Sequence, residues 1–190
     1  MLVFEGMNLF ISPHNDDETL FGAYTLCRER ETIQVVVVFD GWVQKMRGEL
    51  VTADERREET VNALKELGVV LPPIFAGFND ATPDWGGVRA FMYQLRNSVA
   101  PVKVYVPQQE EGGHTQHNAL CVLTYHFWYP DAVVHYTTYT DKGKSIGRTE
   151  VQPEPDWIVR KLRALACYRS QIAIANCREH FTRGLNEYYA

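Results

Sequence analysis

The sequence predicts an α/β fold, an open, mostly parallel sheet with helices on both faces, in a single domain over residues 1–190. Three observations carry that expectation. Short apolar runs alternate with amphipathic stretches of helix length. The run from Val35 to Phe39 is apolar at every position, as in a strand covered on both sides. Thr52 and Glu55 stand at capping-box spacing ahead of a stretch that closes at Gly68, which punctuates one helix at both ends. A chain of 190 residues supports one sizeable core better than two.

In chain order, "NLFISP" reads as a first buried strand and "DDETLFGAYTLCRERE" as a helix with Leu20, Phe21, Tyr24 and Cys27 near one side. "TIQVVVVFDG" is the second strand, and strand, helix, strand implies a parallel pair with a crossover. A polar segment runs to Val51. "TADERREETVNALKELGV" is the clearest helix, with Val61, Leu64 and Leu67 along one side. "PIFAGF" is a third strand, "GGVRAFMYQLRNSV" a helix, "VKVYVP" a fourth strand, "HTQHNALCVLTYHFWYP" a helix by spacing and "DAVVHYTTYT" a fifth strand. Asp141 to Pro155 reads as a surface loop, "PDWIVRKLRALACYRSQ" as a last amphipathic helix, and the tail "CREHFTRGLNEYYA" carries no clear pattern. The result is a doubly wound, Rossmann-like arrangement.

Composition narrows the function classes. Hydrophobic residues make up 45% and charged residues 23%, ordinary for a globular chain. A net charge of -5 without a strongly basic stretch argues against nucleic acid and anionic membrane surfaces as partners. Cys27, Cys121, Cys167 and Cys177 show no C-x-x-C spacing, which fits free thiols in a reducing compartment. No apolar run has the length of a membrane span, and the first residues lack a basic, signal-like start, so a cytoplasmic location is expected.

Chemistry is expected beyond the carboxyl ends of the parallel strands. Two loops there carry ligating side chains: "PHNDDE" after the first strand, with His14, Asp16 and Asp17, and "EEGGHTQH" after the fourth, with His114 and His117. Two histidines and a carboxylate suffice to hold a divalent ion with an open position, leaving a carboxylate and a histidine for proton transfer and oxyanion stabilisation. Alone, an Asp-Asp-Glu run is an ordinary solvated helix start, and an H-x-x-H pair without the H-E-x-x-H of metalloproteases is ordinary too. Their joint placement after two predicted strands favours a site. No G-x-G-x-x-G follows the first strand, and carboxylates there would repel a pyrophosphate.

"SPHNDDETLFG" resembles the P-H-x-D-D-E signature of the PIG-L/LmbE family of zinc-dependent N-acetylglucosaminyl deacetylases. "RREETVNALKELGV" is similar to that family's R-x-x-E helix, "EEGGHTQHNAL" to its second-histidine motif and "KLRALACYRSQ" to its C-terminal helix with Ser-Gln. The resemblance implies zinc, with iron as an alternative ion, held by His14, Asp17 and His117. It further implies Asp16 as general base, His114 facing the oxyanion and leaving nitrogen, Arg56 as a substrate-binding residue and Glu59 as the partner of Arg56. Glu18 is expected to cap the helix or support the ligands, and Asn15 to act as a spacer. The reaction implied is water-driven cleavage of an acetamide on a small N-acylated molecule, a sugar derivative, by a chain that also admits a homo-oligomer.

Two departures bear on this. Gln116 stands where the family has aspartate in H-P-D-H, which is expected to weaken charge support of His114. Asn15 stands where proline is common. Trp42, Met46, Phe78 and Trp85 fall in predicted loops at the ligand end of the sheet and are candidates for sugar stacking. His126 and His135 read as core or surface residues. The competing functional readings are a same-mechanism amidase on a non-sugar natural-product or cofactor precursor, and a catalytically silent metal- or sugar-binding relative.

Overall fold

The computed structural model describes residues 4–40, 44–46, 49–138, 149–172 and 185–190. Trp42, Tyr139, Cys177, His180 and most of the 141–155 loop lie outside the described residues, as does the Met46 side chain. The strands are β1 (Phe4–Glu5), β2 (Asn8–His14), β3 (Ile33–Phe39), β4 (Gln44–Met46), β5 (Glu49–Val51), β6 (Ile74–Phe75), β7 (Val99–Ala100), β8 (Val104–Pro107), β9 (Val133–Tyr136), β10 (Thr149–Glu150) and β11 (Tyr188–Tyr189). The helices are α1 (Asp17–Glu29), α2 (Ala53–Leu67), α3 (Trp85–Ser98), α4 (Thr115–Thr124), α5 (Pro155–Leu165) and α6 (Arg169–Ile172).

Seven strands form one sheet in the order β10-β11-β9-β8-β2-β3-β6. β6, β3, β2, β8 and β9 run parallel, while β11 and β10 add an antiparallel edge. The open, mostly parallel sheet expected from the sequence is the architecture observed. Successive residues of β3 show why its apolar run has no polar face. Val35 and Val37 pack with Ala23 and Leu26 of α1 and Ala63 and Leu64 of α2. Val36 and Val38 pack with Val88 and Met92 of α3 and Leu120 of α4. Alternate side chains of a strand point to opposite faces, so two helical layers demand apolar residues at every position.

α1 lies close on β2 because Gly22 faces the Phe10 ring, where a Cβ would come within 2.3 Å of ring carbons. α2 has both ends expected: Thr52 and Glu55 form a reciprocal capping box, and Gly68 closes the helix at φ 82, a conformation glycine adopts without a Cβ penalty. α4 ends at Thr124, short of the expected Pro130. The Thr124 hydroxyl donates to the Leu120 carbonyl at 2.7 Å, a local bond that competes with helix continuation. The last described residues form a strand, in which Tyr189 pairs with Tyr136 of β9.

The chain leaves β2 toward β3 on one side and later returns to β8 on the other. β2 and β8 therefore flank the point where the winding reverses, and the loops after both strands open on the crevice where ligands bind in such sheets.

Candidate active site

The first loop enters α1 through Asp16, the N-cap residue, at φ 115 and ψ -32. For a residue with a Cβ that backbone costs on the order of 1–3 kcal/mol and persists only when its surroundings hold it. Several groups do. Glu18 Oε2 accepts the Asp16 N–H at 3.2 Å, the Ser12 hydroxyl lies 3.1 Å from the same oxygen, and the Tyr168 hydroxyl donates to Glu18 Oε1. Arg56 of α2 donates to the Asn15 carbonyl, and Asn15 Nδ2 donates to Thr60 Oγ1 at 3.0 Å. Asn15 is therefore an anchor to α2 rather than a spacer. Glu18 is fully buried beneath the loop, with its carboxyl turned toward the backbone N–H of Asp16.

Gln116 settles the chemistry of the first imidazole. Its Nε2 donates to the Asp80 carbonyl at 2.6 Å, which leaves Oε1 facing His14 Nε2 at 2.6 Å. An amide oxygen only accepts, so Nε2 of His14 carries the proton and Nδ1 presents a lone pair. That Nδ1 lies 3.0 Å from Asp17 Oδ2 and 3.4 Å from His117 Nε2, and the latter two atoms are 3.1 Å apart. Ligands of a tetrahedral ion at about 2.0–2.1 Å stand about 3.3 Å from one another. Three buried acceptors at that spacing repel unless a proton or a cation lies among them. The donor set thus fits a divalent ion. His114 widens the cluster, since His14, His114 and His117 each offer an atom within 4.8 Å of the others.

The electrostatics follow from this crowding. Burial pushes the Asp16 carboxyl well up, reinforced by Asp17 and Glu18, while Arg56, with Nη2 at 3.5 Å, opposes. Burial also acts to raise Asp17, yet His117 and His14 pull it far below the usual carboxylate range. For His14, burial is outweighed by Asp17, which raises it. His114, which burial and the neighbouring imidazoles bring down to about 4, is neutral at neutral pH.

The structure gathers His14, Asp16, Asp17, His114 and His117 at one end of the sheet, and it revises two partner assignments. Gln116 meets His14, not His114. Glu59 accepts from the N–H and hydroxyl of Ser170 at 2.8 and 2.6 Å, which gives the Ser-Gln motif a structural task, rather than pairing with Arg56. Arg56 itself is 8% exposed and turned onto the loop, where it donates to the Asn15 carbonyl and stands 3.5 Å from Asp16. Sequence reasoning missed Asp80, whose Oδ1 is buried without a hydrogen-bond partner. With Pro83, Trp85, His114 and Gln116 it lines a cavity of about 340 Å³. No motif marks it; its place in a strand-end loop was the available signal. Of the stacking candidates, Trp85 lines this cavity whereas Phe78 packs against Phe91. His126 is exposed, and His135 lies in β9 with the Tyr125 hydroxyl 2.5 Å from its Nε2.

The family profile for PIG-L, described as GlcNAc-PI de-N-acetylase, matches residues 9–128, a span that holds both loops and α2. The chain belongs to the PIG-L family. That places it with deacetylase-like hydrolases. A search of curated proteins by sequence returns no match. Among solved structures, the conserved protein TT1542 of Thermus thermophilus is 20% identical at TM-score 0.71, over 96% of this chain and 93% of that one. The N,N'-diacetylchitobiose deacetylase of Pyrococcus horikoshii, solved with its inhibitor, is 18% identical at TM-score 0.71, over 97% and 82%. The 4-carboxy-2-hydroxymuconate hydratase of Pseudomonas putida is 17% identical at TM-score 0.69, over 94% and 83%. At such identities these likenesses show the fold. Among the described residues no helix is long and apolar enough to cross a membrane.

Proposed function

We propose that this PIG-L family chain is a zinc-dependent N-deacetylase of an N-acetylated amino sugar or a glycosylated small molecule. The observation that carries the reading is the trio His14 Nδ1, Asp17 Oδ2 and His117 Nε2, packed at 3.0–3.4 Å, with Asp16 next in the chain to one of its members. His14, Asp17 and His117 would hold the ion, which when bound supplies acidification of a water, to a pKa of about 7, and polarisation of an acyl oxygen.

The rest is the work of side chains. Asp16, made basic by burial and held in place by Glu18 and Arg56, takes the proton from the attacking water. His114, at the mouth of the site and neutral, presents an N–H toward the oxygen on which negative charge develops. The proton taken up by Asp16 then goes to the nitrogen as the amide bond breaks, and acetate and a free amine leave. The sugar preference rests on the adjoining cavity. Asp80 offers an unpaired carboxylate oxygen to hydroxyl donors, and Trp85 offers an apolar ring face to a pyranose.

Release of acetate from N-acetylglucosamine and its glycosides by zinc-loaded protein tests the reading against Asp16→Asn. The variant is expected to bind zinc and to lose about 10²–10⁴-fold in kcat. Turnover preserved in a zinc-loaded variant removes Asp16 from its role, and acetate released only from non-sugar amides leaves the mechanism but replaces the substrate class.

A further inference from the structure

We propose that the groove between α3 and α4 is a subsite for an apolar aryl or alkyl aglycone carried by the N-acetylated substrate, an inference that rests on the sugar-deacetylase reading above. The groove, of about 630 Å³, is walled by Trp85 and Arg89 of α3 and by Ala119, Val122 and Leu123 of α4, with His126 at its far end.

Continuity with the catalytic cavity identifies its occupant. Trp85 is a wall of both spaces. Thr115 lines the catalytic cavity, while Ala119, Val122 and His126 line the groove. Thr115, Ala119 and Val122 stand at i, i+4 and i+7, one stripe of α4, and His126 follows in the turn after the helix. The helix that delivers His117 to the site, and whose N-cap is His114, therefore extends a single surface from the reacting bond outward. Along α4, from 115 to 124, a helical rise of about 1.5 Å per residue covers about 14 Å, room for a sugar followed by a ring or short chain.

The lining decides the chemistry of that ligand. α3 and α4 turn Val88, Met92 and Leu120 inward to the sheet, yet Val122 remains 47% exposed and Trp85 36% exposed on the groove side. The surface that the lining presents to the groove is mostly apolar, so an apolar substituent gains burial there that a second sugar would not.

The test compares equilibrium binding of p-nitrophenyl and methyl N-acetyl-β-glucosaminide to zinc-loaded Asp16→Asn protein, in which turnover is suppressed. The aryl glycoside is expected to bind about tenfold more tightly, in line with partial burial of one ring. Ala119→Trp, which fills the groove, and Val122→Glu, which charges an exposed helix position, should each bring the two affinities together without changing that of the methyl glycoside. Equal affinities at the outset, an aryl advantage that survives both variants, or no binding of either glycoside overturns the proposal. So does a change of sedimenting mass with Val122→Glu, which would assign the groove to a second copy of the chain. Acetate release from the wild-type protein is read separately: aryl-selective binding without acetate sinks the deacetylase reading and leaves the subsite standing.

Discussion

Two groups of buried carboxylates border α1, and their neutralisation differs. Glu187 accepts the Tyr24 N–H of α1 and pairs with Lys161 Nζ at 2.9 Å, both side chains being essentially inaccessible. Lys161 also donates to the Leu20 carbonyl at 2.8 Å and lies over the Tyr24 ring. The chain here brings its own counterion. At the other group Asp16, Asp17 and Glu18 are buried in sequence, and the guanidinium that approaches, Arg56, stands 3.5 Å from Asp16. Burial raises Asp16 and Glu18 while imidazoles lower Asp17. The groups around Asp17 are imidazoles, which can exchange a proton for a metal ion as the Lys161 ammonium cannot. The first group ties the tail to the core; the second brings together side chains that could hold a metal ion.

The strongest way to break this comparison is to remove the internal counterion. Lys161→Met leaves Glu187 buried and unpaired, and is expected to cost about 3–5 kcal/mol of unfolding free energy in urea denaturation. Adding Glu187→Leu should restore most of the loss, because two apolar groups of similar size replace two charges. Neither variant should change zinc affinity. A single variant costing under about 1 kcal/mol would mean that Glu187 is neutralised by other means and that the two groups differ less than their geometry indicates.

A smaller effect sharpens the other half. Gln116 fixes which nitrogen of His14 is free, so Gln116→Leu should lower zinc affinity about 10–100-fold, measured by competition with a chromophoric chelator. Gln116→Glu keeps an acceptor opposite His14 Nε2 and should retain most of the affinity. If leucine and glutamate behave alike, the tautomer argument falls, although the trio itself would stand.

These partners mark the boundary of what the sequence shows. β2, β3 and α2 were legible because each depends on a local pattern: apolar runs, a capping box, a glycine stop. His14, Asp17 and His117 were legible as candidates because two ligating loops follow two predicted strands and because four motifs recur in family order. The partner of Gln116 was not, since position 116 lies 102 residues from His14 and reaches it only through the placing of β2 beside β8. Asn15 looked like a spacer because its contact, Thr60, lies on a helix whose docking angle no periodicity encodes. Tyr188 and Tyr189 gave no strand signal because two residues contain no period to detect, and their pairing is decided by the open edge of β9.

The smallest effect supplies the solvated reference for both buried groups. Glu55, fully exposed at the start of α2, accepts the Thr52 N–H at 2.6 Å and the Thr52 hydroxyl at 3.0 Å. Those bonds favour the ionised form and lower the Glu55 carboxyl below its ordinary 4.5. A depressed folded value means that the contribution to stability is complete above the unfolded value and is lost as pH falls through the folded one. The difference in unfolding free energy between wild type and Glu55→Gln should therefore be flat at neutral pH and shrink only below about 4.5. α2 also carries Arg56 to the carboxylates of the site, so the same variant asks whether fraying this cap loosens Asp16. Because an exposed, solvent-screened cap bond contributes little and Arg56 is buried one residue further in, kcat should hold at neutral pH. A fall in kcat that tracks the loss of the cap would show that the helix end, and not Glu18 beneath it, is what holds Asp16 in its strained backbone.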